Sequence, residues 1–212
     1  MRKEAIMVEN QSKSVEVSNA VSKIINQFLN GSDIASRRAM LAQLRHTIGK
    51  PLSQSVEIWP WILSNVPESF INKYGEVSYQ MQAVINTLQI YALYEQGGVE
   101  KSSYKDLNKS EDSENEKSYN NMGTALRALR SDEGVRGAMD RRFSVMITAS
   151  DYESFYYYLR QLIRLLKSRT KENKQAINYS KLARDLYLLQ FEDSEKIRLS
   201  WAQEYYRVSK QQ

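Results

Sequence analysis

Apolar residues recur every three or four positions along almost the whole chain, the spacing of one face of an α-helix. Val17, Val21, Ile24, Ile25 and Phe28 form the first stripe, closed by Asn30-Gly31. Ser32-Asp33 opens a second helix carrying Ile34, Met40, Leu41, Leu44 and Ile48, and Gly49-Lys50-Pro51 stops it. Trp59–Leu63 marks a short element before Pro67. Met81, Val84, Ile85, Leu88, Tyr91 and Ala92 mark a long helix ending at Gly97-Gly98. Beyond a polar interval, stripes run through Met122, Ala125, Leu126 and Leu129, then through Val135, Met139, Phe143, Val145 and Met146. The strongest one carries Tyr152, Phe155, Tyr156, Leu159, Leu162, Ile163 and Leu166; two more centre on Leu182, Leu186 and Leu189 and on Ile197, Trp201, Tyr205 and Val208. Ser150 and Glu153 stand at capping-box spacing, and Asp193 stands where the last helix needs a cap.

No run alternates with the period of a strand and no repeat of fixed length occurs. The predicted fold class is therefore all-α, with an N-terminal helical half (residues 1–97) and a C-terminal antiparallel helix bundle (119–212). Between them, residues 98–118 are polar, acidic and serine-rich, and read as a surface loop or disordered linker.

With 212 residues, the chain can bury one sizeable core or two small ones. The absence of cysteine excludes disulfides and thiolate metal sites and fits a reducing, cytoplasmic setting. Neither a signal-like apolar run nor a stretch of about 18 apolar residues is present, so no membrane partner is expected. Catalytic chemistry is equally thin. His46 is the sole histidine, in a basic helix, and reads as a solvated or phosphate-contacting side chain. The eight glycines form no phosphate loop, and Gly134-Val-Arg-Gly137 matches the KH-domain GXXG in letters without the strands that fold needs. Glu111, Asp112, Glu114 and Glu116 read as a solvated charge run, and Asp185, in Leu-Ala-Arg-Asp-Leu, as the buried partner of an arginine rather than a catalyst. No enzyme activity, cofactor or metal is expected.

The excess charge is +5, from 30 basic and 25 acidic residues, so its placement matters more than its size. On a helical wheel Arg160, Arg164 and Lys167 fall within roughly 60° of one another beside the apolar stripe. Arg127 and Arg130 stand three apart, and Arg136, Arg141, Arg142, Arg169, Lys171 and Lys174 follow the same chain half. Arg37, Arg38, Arg45, His46 and Lys50 cluster in the other half. Arginine dominates, and its planar fork grips phosphate at two points. Against this stand internal ion pairs with Asp132, Glu133, Asp140 and Asp151. The consecutive tyrosines 156, 157 and 158 read as core rather than as a stacking platform. The residues thus point to nucleic-acid backbone binding without sequence reading.

Eight blocks in order then resemble the CasB family, the small subunit of the type I-E Cascade complex. They are Ser36–Pro51, Trp59–Leu63, Gln89–Tyr94, Met122–Arg130, Arg141–Phe143, Leu159–Leu166, Ile177–Tyr187 and Ile197–Tyr206. The linker departs from the family by its length and acidity. The resemblance implies an all-α, non-catalytic CRISPR antiviral-defence subunit, present twice, contacting a guide RNA complex, its large subunit and its repeated backbone subunit. It implies stabilisation of the R-loop, chiefly through the displaced non-target DNA strand. Arg37, Arg38 and Arg45 match the family's first basic block, Arg127 and Arg130 the second, and Arg141 and Arg142 the third. The alternatives are a free-standing RNA- or DNA-binding module and an assembly adaptor.

Overall fold

A computed structural model describes residues 2–29, 31–95, 120–170, 175–191 and 194–207, without the side chains of 2–7 and 28. The linker at 98–118, its acidic run, the Phe28 side chain, Lys171, Lys174, the Asp193 cap and Val208 lie outside what is described. The fold is all-α as the periodicity predicts; among the described residues the only strand-like pairing is an isolated bridge between Ile71 and Val77.

The described residues form two compact units, one within Met1–Ser102 and Tyr179–Gln190, the other within Ser103–Asn178 and Phe191–Gln212. In the first unit, α1 (Arg2–Lys23) widens into a π-helical turn over Ile24–Leu29 and is followed by α2 (Ile34–His46). Asp33 caps α2 by accepting from the amides of Ala35 and Ser36, and Gly49 leaves it with a φ of +81° that suits glycine. After the short α3 (Trp59–Leu63) comes α4 (Tyr79–Tyr94), whose positions from Met81 to Tyr94 are buried on every side except at Gln82. Such a helix must be enclosed by others. It packs against α1, α2 and α8 (Tyr179–Leu188), the last of which also runs along α1.

The polar groups that α4 carries inward are paired rather than stranded. Gln89 donates to the Thr47 hydroxyl at 3.0 Å, Thr87 to the Ala83 carbonyl at 2.7 Å, and Tyr179 of α8 to Glu95 at 3.3 Å. The hydroxyls of Ser22 and Ser180 join α1 to α8. The predicted stripe Val17, Val21, Ile24 and Ile25 is fully buried, while Ile34, expected in the second stripe, is exposed at the first turn of α2.

The second unit contains α5 (Met122–Leu126), a 3-10 turn at Arg127–Arg130, α6 (Glu133–Ile147), α7 (Tyr152–Arg169) and α9 (Ser194–Tyr206). Its core gathers Phe143 stacked on Tyr205 (ring centroids 3.8 Å apart) and Phe155 against Trp201 (5.6 Å). Trp201 and Leu162, each mid-stripe in the sequence, are buried. Asn121 fastens α5 to α9 by donating to the Ser200 carbonyl at 3.0 Å. Gly123 lies so close to the backbone of Trp201 that a Cβ there would meet its carbonyl oxygen at 2.1 Å.

Both units bury phenols. Burial raises Tyr156, Tyr179, Tyr187 and Tyr205 above the ordinary tyrosine value, Tyr187 to about 12. Between pH ~10 and ~12 the folded chain therefore keeps protons that the unfolded chain gives up. Stability should hold below pH ~10 and fall as pH rises through that window. Urea midpoints compared at neutral and strongly alkaline pH, with phenolate absorbance followed alongside, will check this. Complete tyrosine ionisation in the still-folded protein near pH 10 would contradict it.

Candidate nucleic-acid interface

The basic side chains gather around α6 and α7, and the helical period decides which way each points. At about 100° per residue, Leu159, Leu162, Ile163 and Leu166 define the core face of α7. Tyr156 sits at its edge and is buried; Tyr157 points the opposite way and is 50% exposed, and Tyr158 is half-buried. The three tyrosines are therefore not all core, because three consecutive residues span about 200° of a helix. The cap of α7 also differs from the predicted Ser150–Glu153 box. Asp151 accepts from the Ser154 amide at 2.7 Å and from its hydroxyl at 2.8 Å, bonds that hold its carboxyl below the usual range.

Between α6 and α7 lies a groove of about 920 Å³. Tyr157, Tyr158, Leu162 and Leu165 furnish its apolar wall, and Arg141, Arg142 and Arg164 supply its charge. Among the described residues no acidic side chain lines it. All three arginines are exposed. Arg142 donates to the Ala138 carbonyl at 3.3 Å and Arg164 to the Gln161 amide oxygen at 3.3 Å, contacts that leave donors of each guanidinium over.

Other predicted cations have internal work. Arg130 holds Asp140 through two bonds, 2.8 and 3.3 Å, and its guanidinium lies over the rings of Tyr205 and Tyr206 at 5.4 and 4.9 Å. Truncating it strands a half-buried carboxylate, so Arg130→Ala should cost roughly 1–2 kcal/mol of stability, read as a lowered urea midpoint. A midpoint within error of the parent would show the clamp to be idle. Arg160 lies over Tyr156 and Tyr157 at 5.0 and 5.7 Å, with its Nε buried. Arg127 and Lys167 are half-buried. Arg136 and Arg169 reach Glu133 and Asp132 at 3.5 Å.

In the first unit, α2 presents Arg38 to solvent. Arg37 donates to the Tyr91 hydroxyl and Arg45 to the Ala92 carbonyl, both at 3.3 Å. Exposed His46 meets Glu57 at 2.8 Å through Nδ1, with the Lys50 ammonium 3.0 Å from Nε2. The His46 bond is the chief reason that the Glu57 carboxyl lies below the usual range.

Among the described residues no group of three His, Asp or Glu could hold a metal ion, and no helix is long and apolar enough to cross a membrane. Gly134 and Gly137 lie in α6, a helix. Asp185, fully buried, accepts from Lys181 at 2.6 Å.

Residues 40–206 match the family model described as CRISPR-associated protein Cse2. No curated protein matches the sequence. A crystal structure of CasB from Thermobifida fusca is similar in fold, with a TM-score of 0.62 at 19% identity, over 92% of this chain and 98% of that one.

Proposed function

The chain belongs to the CRISPR-associated Cse2 family, and from that premise we propose that it is a non-catalytic subunit of an RNA-guided Cascade-type complex that grips nucleic-acid backbone and steadies the R-loop. The observation that carries this reading is the α6–α7 groove, where Arg141, Arg142 and Arg164 are exposed and no acid stands among the described lining residues. Phosphates of a strand displaced from its duplex are what such a surface attracts. R-loop formation exchanges one duplex for another of nearly equal stability, so a few backbone contacts suffice to tip it, while base pairing retains the choice of sequence. Arg38 on α2 offers a further exposed phosphate contact, and Arg37, Arg45, Arg127, Arg160 and Lys167 can join it by reorienting. The partners are then the guide RNA, both DNA strands, the large and repeated subunits and a second copy of the chain, in the cytoplasm.

Photo-crosslinking tests this. A displaced strand carrying photoreactive nucleotides should label peptides from α6 and α7 in the assembled complex. Labelling confined to other subunits would overturn the reading and favour an assembly adaptor.

A further inference from the structure

The groove between α6 and α7 has more in it than phosphate binding needs. A surface that only neutralises phosphates requires cations on a solvated face. Here a half-exposed tyrosine stands among the arginines, and an apolar wall descends beside it to Leu162, which is otherwise core. Tyr157 meets the Tyr158 ring edge-on at 5.4 Å, and Arg160 lies 5.7 Å from its centroid. The ring is thus steadied from within its own helix while half of its surface stays open. The volume of about 920 Å³ falls at the upper end of the roughly 300–1,000 Å³ of sites that enclose small organic molecules.

The charge settles the class of occupant. An apolar wall alone would suit a helix of another protein, and a cationic rim alone would suit any polyanion. Their combination, without one carboxylate among the described lining residues, suits a chain that alternates anionic links with flat aromatic faces. We propose that the α6–α7 groove receives an unstacked nucleobase of single-stranded nucleic acid against Tyr157, with the neighbouring phosphates held by Arg141, Arg142 and Arg164. This rests on the backbone-gripping reading above and adds a base-dependent component to it. Because every base has a π-face, the contact tolerates any sequence. It requires an unpaired strand, since a base inside a duplex has no free face. The site therefore separates single strands from duplexes, which backbone charge alone does poorly.

The test uses the full chain at low salt with two probes, an oligothymidylate and a same-length oligomer of abasic deoxyribose phosphates. The parent should bind the abasic probe more weakly by roughly 5- to 150-fold, the range that stacking of one base covers. Tyr157→Ala should lose a similar factor on oligothymidylate and almost nothing on the abasic probe. Tyr157→Phe should restore binding and Tyr157→Leu should not, because leucine keeps apolar area without a π-face. All three replace a half-exposed side chain, and matching thermal melts will show the fold intact. Equal loss on both probes, or none on either, overturns the stacking contact. The double variant Arg141→Ala/Arg142→Ala keeps the two ideas apart. If it flattens the salt dependence of binding while Tyr157→Ala changes nothing, backbone gripping stands and stacking falls. If neither variant alters binding, both fall for this groove, and it faces a protein.

Discussion

Replacing Arg141, Arg142 and Arg164 together by alanine is expected to shorten the lifetime of R-loops in the assembled complex and to flatten its salt dependence. Each phosphate contact on a single strand contributes about 0.7 to the slope of log K against log salt, so three lost contacts should lower that slope by about 2. The loss should be similar for every target sequence. Guide-matched sites should still be chosen over mismatched ones, because pairing makes that choice. Stability should stay within about 0.5 kcal/mol per substitution, since all three side chains are exposed and no acid among the described lining residues is left behind. Lifetimes at two salt concentrations, with circular dichroism melts of the isolated variant, separate lost contacts from lost fold. An unchanged lifetime and slope would remove these arginines from the interface.

The largest effect on stability is expected from the smallest substitution. Alanine in place of a helical glycine ordinarily stabilises by about 0.5–1 kcal/mol, because the unfolded chain loses freedom. At Gly123 the sign should reverse. The added Cβ would stand 2.1 Å from the carbonyl oxygen of Trp201 and 2.8 Å from its carbon, and both belong to the backbone of α9. No rotamer change relieves that overlap; α5 and α9 must move apart. Gly123→Ala should therefore cost at least the roughly 1–3 kcal/mol typical of overpacking. Gly137→Ala is the matched control, since its Cβ would find only the Arg141 guanidinium at 3.9 Å, and it should gain stability. Urea unfolding followed by tryptophan fluorescence reads the contrast, with Trp201 reporting on the packing at issue. A stabilised Gly123→Ala would mean that α5 and α9 are not in contact.

Much of this fold can be read from the chain because helices announce themselves locally. The stripe at Val17–Ile25, the cap at Asp33 and the turn at Gly49 each depend on a few neighbouring residues, and each stands where the pattern puts it. The full enclosure of α4 could not be read so easily. Asn86, Thr87 and Gln89 interrupt the apolar pattern, yet they are buried because partners reach them, Gln82 for Asn86 and Thr47 for Gln89. Nor does periodicity say which helix an apolar face will meet, so the seating of α8 on α1 and α4 is a tertiary fact. The candidate site shows the same division. The chemistry of the arginines was plain, but their individual fates depend on neighbours brought in by folding. Asp140 claims Arg130 across a turn, whereas among the described residues no acid lines the groove with Arg141, Arg142 and Arg164. The exposure of Tyr157 was within reach of the sequence: 100° per residue sets it opposite the leucines of its own helix.

The return of α8 to the first unit has a consequence for synthesis on the ribosome. Chains emerge from the N-terminus, and domains fold as their parts become available. Here the apolar faces of α1 and α4 that α8 covers stay open until residue 188 has left the exit tunnel, after most of the second unit has been made. A nascent chain of 97 residues exposes a greasy cleft and should call on chaperones, and ribosomes stalled between the two points should carry protease-sensitive chains. Moving α8 ahead of α1 by circular permutation would let the first unit close as soon as it is translated.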